Sequence, residues 1–306
     1  MMSEKLLMYE AATLYYDKKL TQQEIAGRTN LSRQTVSKLL SDAVRENIVE
    51  IKIHHPEETR TALETQLCDT FGIRRCVVCS VSSDDETMCR MMTVRAAVDY
   101  ILPLVQRGGL NIAVSWGRTV QELIHTLPET HTKGNTVFPL LGATNNEKSY
   151  FSSNELARNL ADKLDAEVKH AWFPYMPDSA ADYRLLKQLS YYEKMQAMWD
   201  AADLSILGIG SKKILEVFGE TFGYSEIHSQ AIGDIATHFF DENGRFVDLY
   251  ENTLCASADS IRNAKESIAI ACGKEKTEAI IGALRTKLID TLITDEYTAK
   301  RVLECC

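Results

Sequence analysis

Between Arg33 and Arg45, apolar side chains recur at Val36, Leu39, Leu40 and Ala43, the i, i+3, i+4, i+7 spacing of one buried helix face. Immediately upstream, Leu20 to Thr29 carries a second helical signal. Thr21 and Glu24 have the T-x-x-E spacing of a capping box, flanked by Leu20 and Ile25 as a hydrophobic staple. Ser32, with Leu31 and Val36, repeats the device for the following helix. Leu6 to Tyr16 predicts a further helix that turns Leu7, Met8, Ala11, Leu14 and Tyr15 inward. Ile48 to His54, IVEIKIH, alternates apolar and polar residues and reads as a short strand, a small wing or the start of a linker.

The pattern changes beyond about residue 57. Short apolar runs at Arg75–Val81, Asn111–Val114, Val137–Leu141, Glu167–Phe173, Leu204–Gly208, Ile268–Ala271 and Thr291–Thr294 are for the most part separated by helical segments. Strands alternating with helices predict a parallel sheet covered by helices, and such sheets bind ligands beyond the carboxyl ends of their strands. The expected fold is therefore α/β, with a small all-α helix-turn-helix domain over 1–55 and a Rossmann-like domain over 56–306.

The outward face of the second capped helix holds Arg33, Gln34, Ser37, Lys38 and Ser41, with no acid and no large apolar residue. Arg can bond guanine O6 and N7, Gln adenine N6 and N7, while Lys and Ser suit the phosphate backbone. On an isolated amphipathic helix such a face is ordinary solvated surface. Two caps, a short turn and the absence of acids favour duplex DNA, with Arg33, Gln34, Ser37 and Lys38 as the DNA-binding residues.

Composition adds limits. The 306 residues are 45% hydrophobic, enough for a large core, and no apolar run approaches the ~20 residues needed to span a bilayer. No membrane partner and a soluble, cytoplasmic protein are expected. The net charge is −9, yet Lys and Arg outnumber Asp and Glu by eight to seven through residue 55, leaving −10 for the remainder. An acidic body repels phosphate, so attraction must come from the local face built on Arg28, Arg33 and Lys38. Eight cysteines in an intracellular chain are expected as reduced thiols. Cys76 and Cys79 have CxxC spacing, but they sit in an apolar run without a second pair or a His cluster, so no metal or cofactor is implied.

Three loops carry candidate chemistry. Ser115-Trp116-Gly117-Arg118-Thr119 lies between a strand and a helix running to about Leu127. Free N–H groups, a glycine, hydroxyls and an Arg together make an anion site, although turn geometry alone also favours a Gly and a Thr there. In CGKEKTEAIIGAL, Gly273 permits a tight turn and Lys274 and Lys276 stand at a helix start, where they oppose the dipole unless an anion is bound or they point to solvent. In AIGDIATHFFDENGRFVD, Asn243-Gly244 is a hairpin signal between two short strands. Asp234 just ahead could accept from sugar hydroxyls or cap a turn.

Together LTQQEIAGRTNLSRQTVSKLL, SWGRT, FPLLGATNN, ADLSILGIGS, AIGDIATHFFDENG, CGKEKTEAIIGAL and LITDEYTAKRVL resemble, in order and spacing, the SorC/DeoR-type bacterial transcriptional regulators. The resemblance implies a DNA-binding domain joined to an effector domain similar to sugar-phosphate isomerases and deaminases. It implies a phosphorylated sugar effector held by Ser115, Gly117, Arg118, Thr119 and Lys276, with Gly142 of the FPLLGATNN block also at the site and Asp234 on the sugar. Some relatives carry a basic residue that contacts or covalently binds the effector where this chain has Leu140-Leu141-Gly142-Ala143. Neither that contact nor a Schiff base is expected at Leu141, and Lys148 could take its place. The expected partners are a double-stranded operator and a second copy, since a helix-turn-helix usually reads a two-fold site; the resemblance suggests a tetramer. The competing class is a sugar-phosphate isomerase or deaminase. Asp234 is the sole candidate base, and no His or second acid joins it, so no catalytic residue is assigned. An RNA-binding or scaffold role lacks the aromatic platform that single strands require.

Overall fold

The structure, a computed structural model, describes residues 4–50, 58–81, 83–144, 152–213 and 230–306. The chain divides into two compact units, Met1–Pro56 and Glu57–Cys306.

In the first unit, α1 (Glu4–Ala12) runs into a π-helical turn at Thr13–Asp17, followed by α2 (Gln22–Thr29) and α3 (Arg33–Arg45). The α2 capping box forms as its spacing requires. The Glu24 N–H donates to Thr21 Oγ1 at 3.3 Å, and the Thr21 N–H donates to Glu24 Oε2 at 2.8 Å. Ser32 caps α3 through the Thr35 N–H at 3.1 Å. Between the helices Asn30 adopts φ 54°, a left-handed conformation that Asn tolerates better than most residues. Met8, Ala11, Ile25, Val36, Leu39, Leu40 and Ala43 are buried together, with Leu7, Leu14, Tyr15, Leu20 and Leu31 packed around them.

The expected strand at Ile48–His54 does not form over its described part. The Ile48 and Val49 N–H groups both donate to the Ala43 carbonyl, at 2.9 and 3.1 Å. Their side chains fold back on the helical core instead of pairing. Ile51–His54 lie outside the described residues.

The second unit begins with α4 (Glu58–Phe71), β1 (Arg75–Cys79), α5 (Glu86–Val105), β2 (Asn111–Val114), α6 (Arg118–Thr126) and β3 (Thr136–Pro139). It continues through α7 (Ser153–Leu164), β4 (Glu167–Val168), α8 (Ala180–Lys187), α9 (Ser190–Asp200) and β5 (Leu204–Gly208). After β6 (Gly210–Ser211), β7 (Gly233–Ile235) and β8 (His238–Phe240) come α10 (Ala258–Arg262), β9 (Glu266–Ile270), α11 (Thr277–Arg285), β10 (Thr291–Asp295) and α12 (Glu296–Glu304). Among the described residues, seven strands form one parallel sheet in the order β1-β10-β9-β5-β2-β3-β4. Ile112, Val114, Ile206, Ile268, Ile270, Leu292 and Ile293 are fully buried in it. No helix of the described residues is long and apolar enough to cross a membrane.

Two local expectations shift. The Glu167–Phe173 run makes only a two-residue edge strand, because Asn154 takes over both backbone groups of Ala171. Asn154 Oδ1 accepts from the Ala171 N–H at 2.8 Å and Nδ2 donates to its carbonyl at 3.0 Å. The hairpin of the small β6–β7–β8 antiparallel sheet turns at Ala236-Thr237, φ 47° and 72°, where no Asn or Gly advertises it. Asn243-Gly244 makes a later turn, closed by Gly244 N–H to the Asp241 carbonyl at 3.0 Å, that returns Phe246 to a single bridge with Phe240.

The cysteines of the CxxC pair lie on β1 as free, buried thiols. Burial pushes the Cys79 thiol up to about 12.

Candidate anion-binding cavity and nucleic-acid interface

β2 and β5 are neighbours, yet the chain leaves β2 towards β3 on one side and leaves β5 towards β9 on the other. Loops that diverge in this way open a crevice at the carboxyl ends of the strands. A cavity of about 520 Å³ lies there, lined by the turns after β2, β5, β9 and β10.

The turn after β2 is built around Gly117. Its φ of 122° and ψ of 156° belong to a region that side chains resist, and it occupies the cap position of α6 with no side chain to bond the first turn. The α6 N-terminus, with its partial positive charge, thus opens on the cavity beside Arg118 and Thr119. The turn after β9 repeats the geometry at Gly273, φ 103° and ψ 145°. It leads into a single 3₁₀ turn, Lys274–Lys276, that precedes α11.

Lys276 does not point to solvent. Its Nζ donates to the Ile209 carbonyl at 2.7 Å and faces Asp234. Burial lowers the pKa of this ammonium, Cys272 and Asp234 resist that shift, and Arg118 and Arg90 reinforce it. Asp234, 3% exposed on β7, is pushed up to about 6 by burial, against the Thr237 N–H, Lys276 and the Trp116 indole, all of which favour its charged form. The Thr237 N–H reaches its Oδ2 at 3.1 Å, so Asp234 caps the β7–β8 turn and also lines the cavity. Gly233 beside it is required by close approach, since a Cβ there would stand 2.5 Å from the Gly210 carbonyl oxygen on the paired strand.

Gly117, Arg118, Thr119, Asp234 and Lys276 therefore converge on one cavity, whereas Ser115 and Gly142 do not line it. Ser115 is wholly buried and extends β2, its N–H donating to the Ile206 carbonyl at 2.9 Å. Gly142 is needed for packing instead: a Cβ would lie 2.7 Å from Pro174 C and Tyr175 N. Leu141 is fully buried, and Lys148 lies outside the described residues.

The cavity also receives side chains that the loop motifs do not mark. From α5 come Cys89 and Arg90, the latter paired with Glu122 at 3.0 Å and Glu86 at 3.5 Å. From the β10–α12 junction come Asp295, Tyr297 and Arg301. Asp295 spends both carboxylate oxygens on Thr298, one on its N–H at 2.9 Å and one on its hydroxyl. Helix periodicity does not tell which exposed position of a 20-residue helix meets a loop far away in sequence, so Arg90 carried no local signal. The lining brings together six Arg and Lys and five Asp and Glu, with Lys276 and Arg118 beside a helix N-terminus and Asp234 as the buried carboxylate not spent on a helix cap, an arrangement that suits a ligand with an anionic group and hydroxyls.

In the first unit, Arg33, Gln34, Ser37 and Lys38 are all exposed on α3, opposite the buried Val36, Leu39, Leu40 and Ala43. The Ser41 hydroxyl donates to the Ser37 carbonyl at 3.1 Å. Arg28 stands in the last turn of α2.

A family profile described as "Putative sugar-binding domain" matches residues 55–304, and one described as "Sigma-70, region 4" matches residues 13–46. The sorbitol operon regulator of Klebsiella pneumoniae is 32% identical over 97% of this chain and 98% of its own. The chain belongs to the SorC family of transcriptional regulators. Similarity to a solved SorC-family structure covers nearly the whole chain. The crystal structure of the full-length sorbitol operon regulator SorC from Klebsiella pneumoniae covers 99% of this chain and 100% of that one, with a TM-score of 0.80 and 30% identity. The deoxyribonucleoside regulator of Bacillus subtilis is 27% identical over 97% of each chain.

Proposed function

We propose that this SorC-family protein is a DNA-binding regulator of a carbohydrate catabolic operon, acting in the cytoplasm, whose larger unit takes a phosphorylated sugar as effector. The observation that carries this reading is the convergence of the α6 N-terminus, which no side chain caps, Arg118 and Lys276 on a cavity that also holds the buried Asp234 carboxylate. The phosphoryl group sits against the α6 N–H groups, Arg118, Thr119 and Lys276, and Asp234 accepts from a sugar hydroxyl. Residues 1–55 bind the operator through Arg33, Gln34, Ser37 and Lys38, and a homodimer at least, or a homotetramer, meets its two halves. The names of the sorbitol and deoxyribonucleoside regulators support the carbohydrate assignment.

Regulation follows from linkage. A ligand that prefers one arrangement of the protein changes operator affinity by the ratio of its affinities for the two arrangements. The protein is a sensor and not a catalyst on this reading, since proton abstraction from a sugar phosphate needs a positioned base and acid. Asp295, the other buried acid of the cavity, is committed to the α12 cap.

A thermal-shift panel of sugar phosphates, the matching free sugars and inorganic phosphate tests the reading, because a ligand of the folded state alone raises the melting temperature. A sugar phosphate that stabilises the protein and changes operator binding in a gel shift supports it. Stabilisation by free sugars alone, or turnover of a sugar phosphate in a coupled assay, overturns it.

A further inference from the structure

Helix α8 buries none of its residues, which is unusual for an element of a large folded unit. Leu185 on it is 60% exposed, and Leu189, at the α8–α9 junction, is exposed too. Tyr191, on the first turn of α9, bonds the His170 carbonyl through its hydroxyl. His170 in turn packs at a tilt against Trp172 with ring centroids 4.6 Å apart, and Trp172 is 71% exposed. Two leucines, a tyrosine and a tryptophan thus form an apolar surface at the β4 edge of the sheet, where β4 itself is only two residues long. Large exposed apolar patches on a stable domain mark places where something binds.

The charges around this surface indicate what binds. Asp178, Asp182 and Glu193 are matched by Arg184, Lys187 and Lys194 within the same stretch, so it is neutral, whereas residues 56–306 as a whole carry −10. Two copies of so acidic a unit repel over most of their surface but meet here without that penalty. Acids and bases are interspersed along the stretch, so the same surface can meet its own copy without setting like charges together, as an isologous interface requires.

We propose that the Trp172–Leu185–Leu189–Tyr191 surface is a self-association interface and that its occupant is the same surface of a second copy of this chain. The proposal rests on the reading of the protein as an oligomer on a two-fold operator and assigns that oligomer its contact.

The full-length protein, free of DNA, tests it by sedimentation velocity together with iodide quenching of tryptophan fluorescence. Trp116 and Trp199 are buried, so Trp172 is the tryptophan whose quenching changes when this surface is covered. Wild type is expected to assemble at micromolar concentration with Trp172 shielded. Leu185→Arg, with an unchanged circular dichroism spectrum and melting temperature, is expected to lose one step of assembly, its association weakened about 30-fold or more. Should Leu185→Arg fold poorly, Trp172→Phe provides the second arm: in the wild-type oligomer its removal should leave iodide quenching nearly unchanged. A folded Leu185→Arg that assembles like wild type, or an oligomer whose Trp172 is freely quenched, overturns the surface and leaves the two-fold reading standing. A wild type that is monomeric both free and on DNA overturns that reading and the surface with it. A monomer with Trp172 shielded means the chain covers its own patch, which overturns the surface as well.

Discussion

The Lys276 ammonium donates to the carbonyl oxygen of Ile209 at 2.7 Å, which ties the start of α11 to the turn after β5. One lysine thereby spans the crevice where the strand connections diverge, with its charge facing Asp234. Burial works against both charges, and a phosphoryl group would supply the ammonium with a stronger acceptor than a carbonyl.

Lys276→Met therefore removes a charge-assisted hydrogen bond worth about 1.5–3 kcal/mol, roughly a 10–100-fold loss of sugar-phosphate affinity. Operator binding without ligand should be unchanged. Parallel gel-shift titrations, with and without the sugar phosphate, measure both. A variant that still responds like wild type rejects Lys276 as a phosphate ligand.

Asp234 gives the protein a signature in pH. Its folded pKa, about 6, lies above the ordinary 3.8, so between these values the folded state holds a proton that the unfolded state has released. Stability from this group is full below about pH 4, declines as pH rises to about 6, and is flat above. Asp234→Asn never ionises. Its stability relative to wild type should rise by up to about 3 kcal/mol between pH 4 and 7, as followed by urea denaturation of the ligand-free protein. A difference independent of pH would show that Asp234 titrates normally.

The exposed face of α3 divides into bases and backbone. Arg33→Ala should weaken specific operator binding by about 1–3 kcal/mol and relax the preference at one base pair. Lys38→Ala should lower affinity for all duplexes alike and reduce the salt dependence by about one counterion. Fluorescence anisotropy on operator and scrambled duplexes over a salt series distinguishes the two. An Arg33→Ala loss equal on both duplexes makes Arg33 a phosphate contact.

Gly142→Ala separates packing from ligand contact. The added Cβ meets the Pro174–Tyr175 backbone at 2.7 Å, and relief requires main chain to move. Destabilisation of about 1–3 kcal/mol in denaturant is expected, with sugar-phosphate affinity of the folded protein close to wild type. Full stability combined with lost affinity would return Gly142 to the binding site.

Much of this protein is legible in the chain because it rests on short-range rules. Caps at Thr21 and Ser32 depend on residues three positions apart, and the parallel strands show as buried apolar runs; Asn111–Val114 and Leu204–Gly208 coincide with their predicted bounds. The SWGRT and CGKEK turns are equally local, since glycines at φ 122° and 103° answer a backbone demand. Long-range choices were decided only in three dimensions. Asn154 ended β4 early by taking Ala171's backbone groups, and Ile48 and Val49 found a helix end to cover in place of a strand partner. Arg90 and Arg301 entered the cavity from helices whose periodicity marks only a buried face, while Ser115 and Gly142 were drawn into strand and backbone packing. Spacing along the chain determines which groups can share a helix face or a turn. Which of those groups face one another across a crevice depends on strand order, and strand order arises from the packing of the whole sheet.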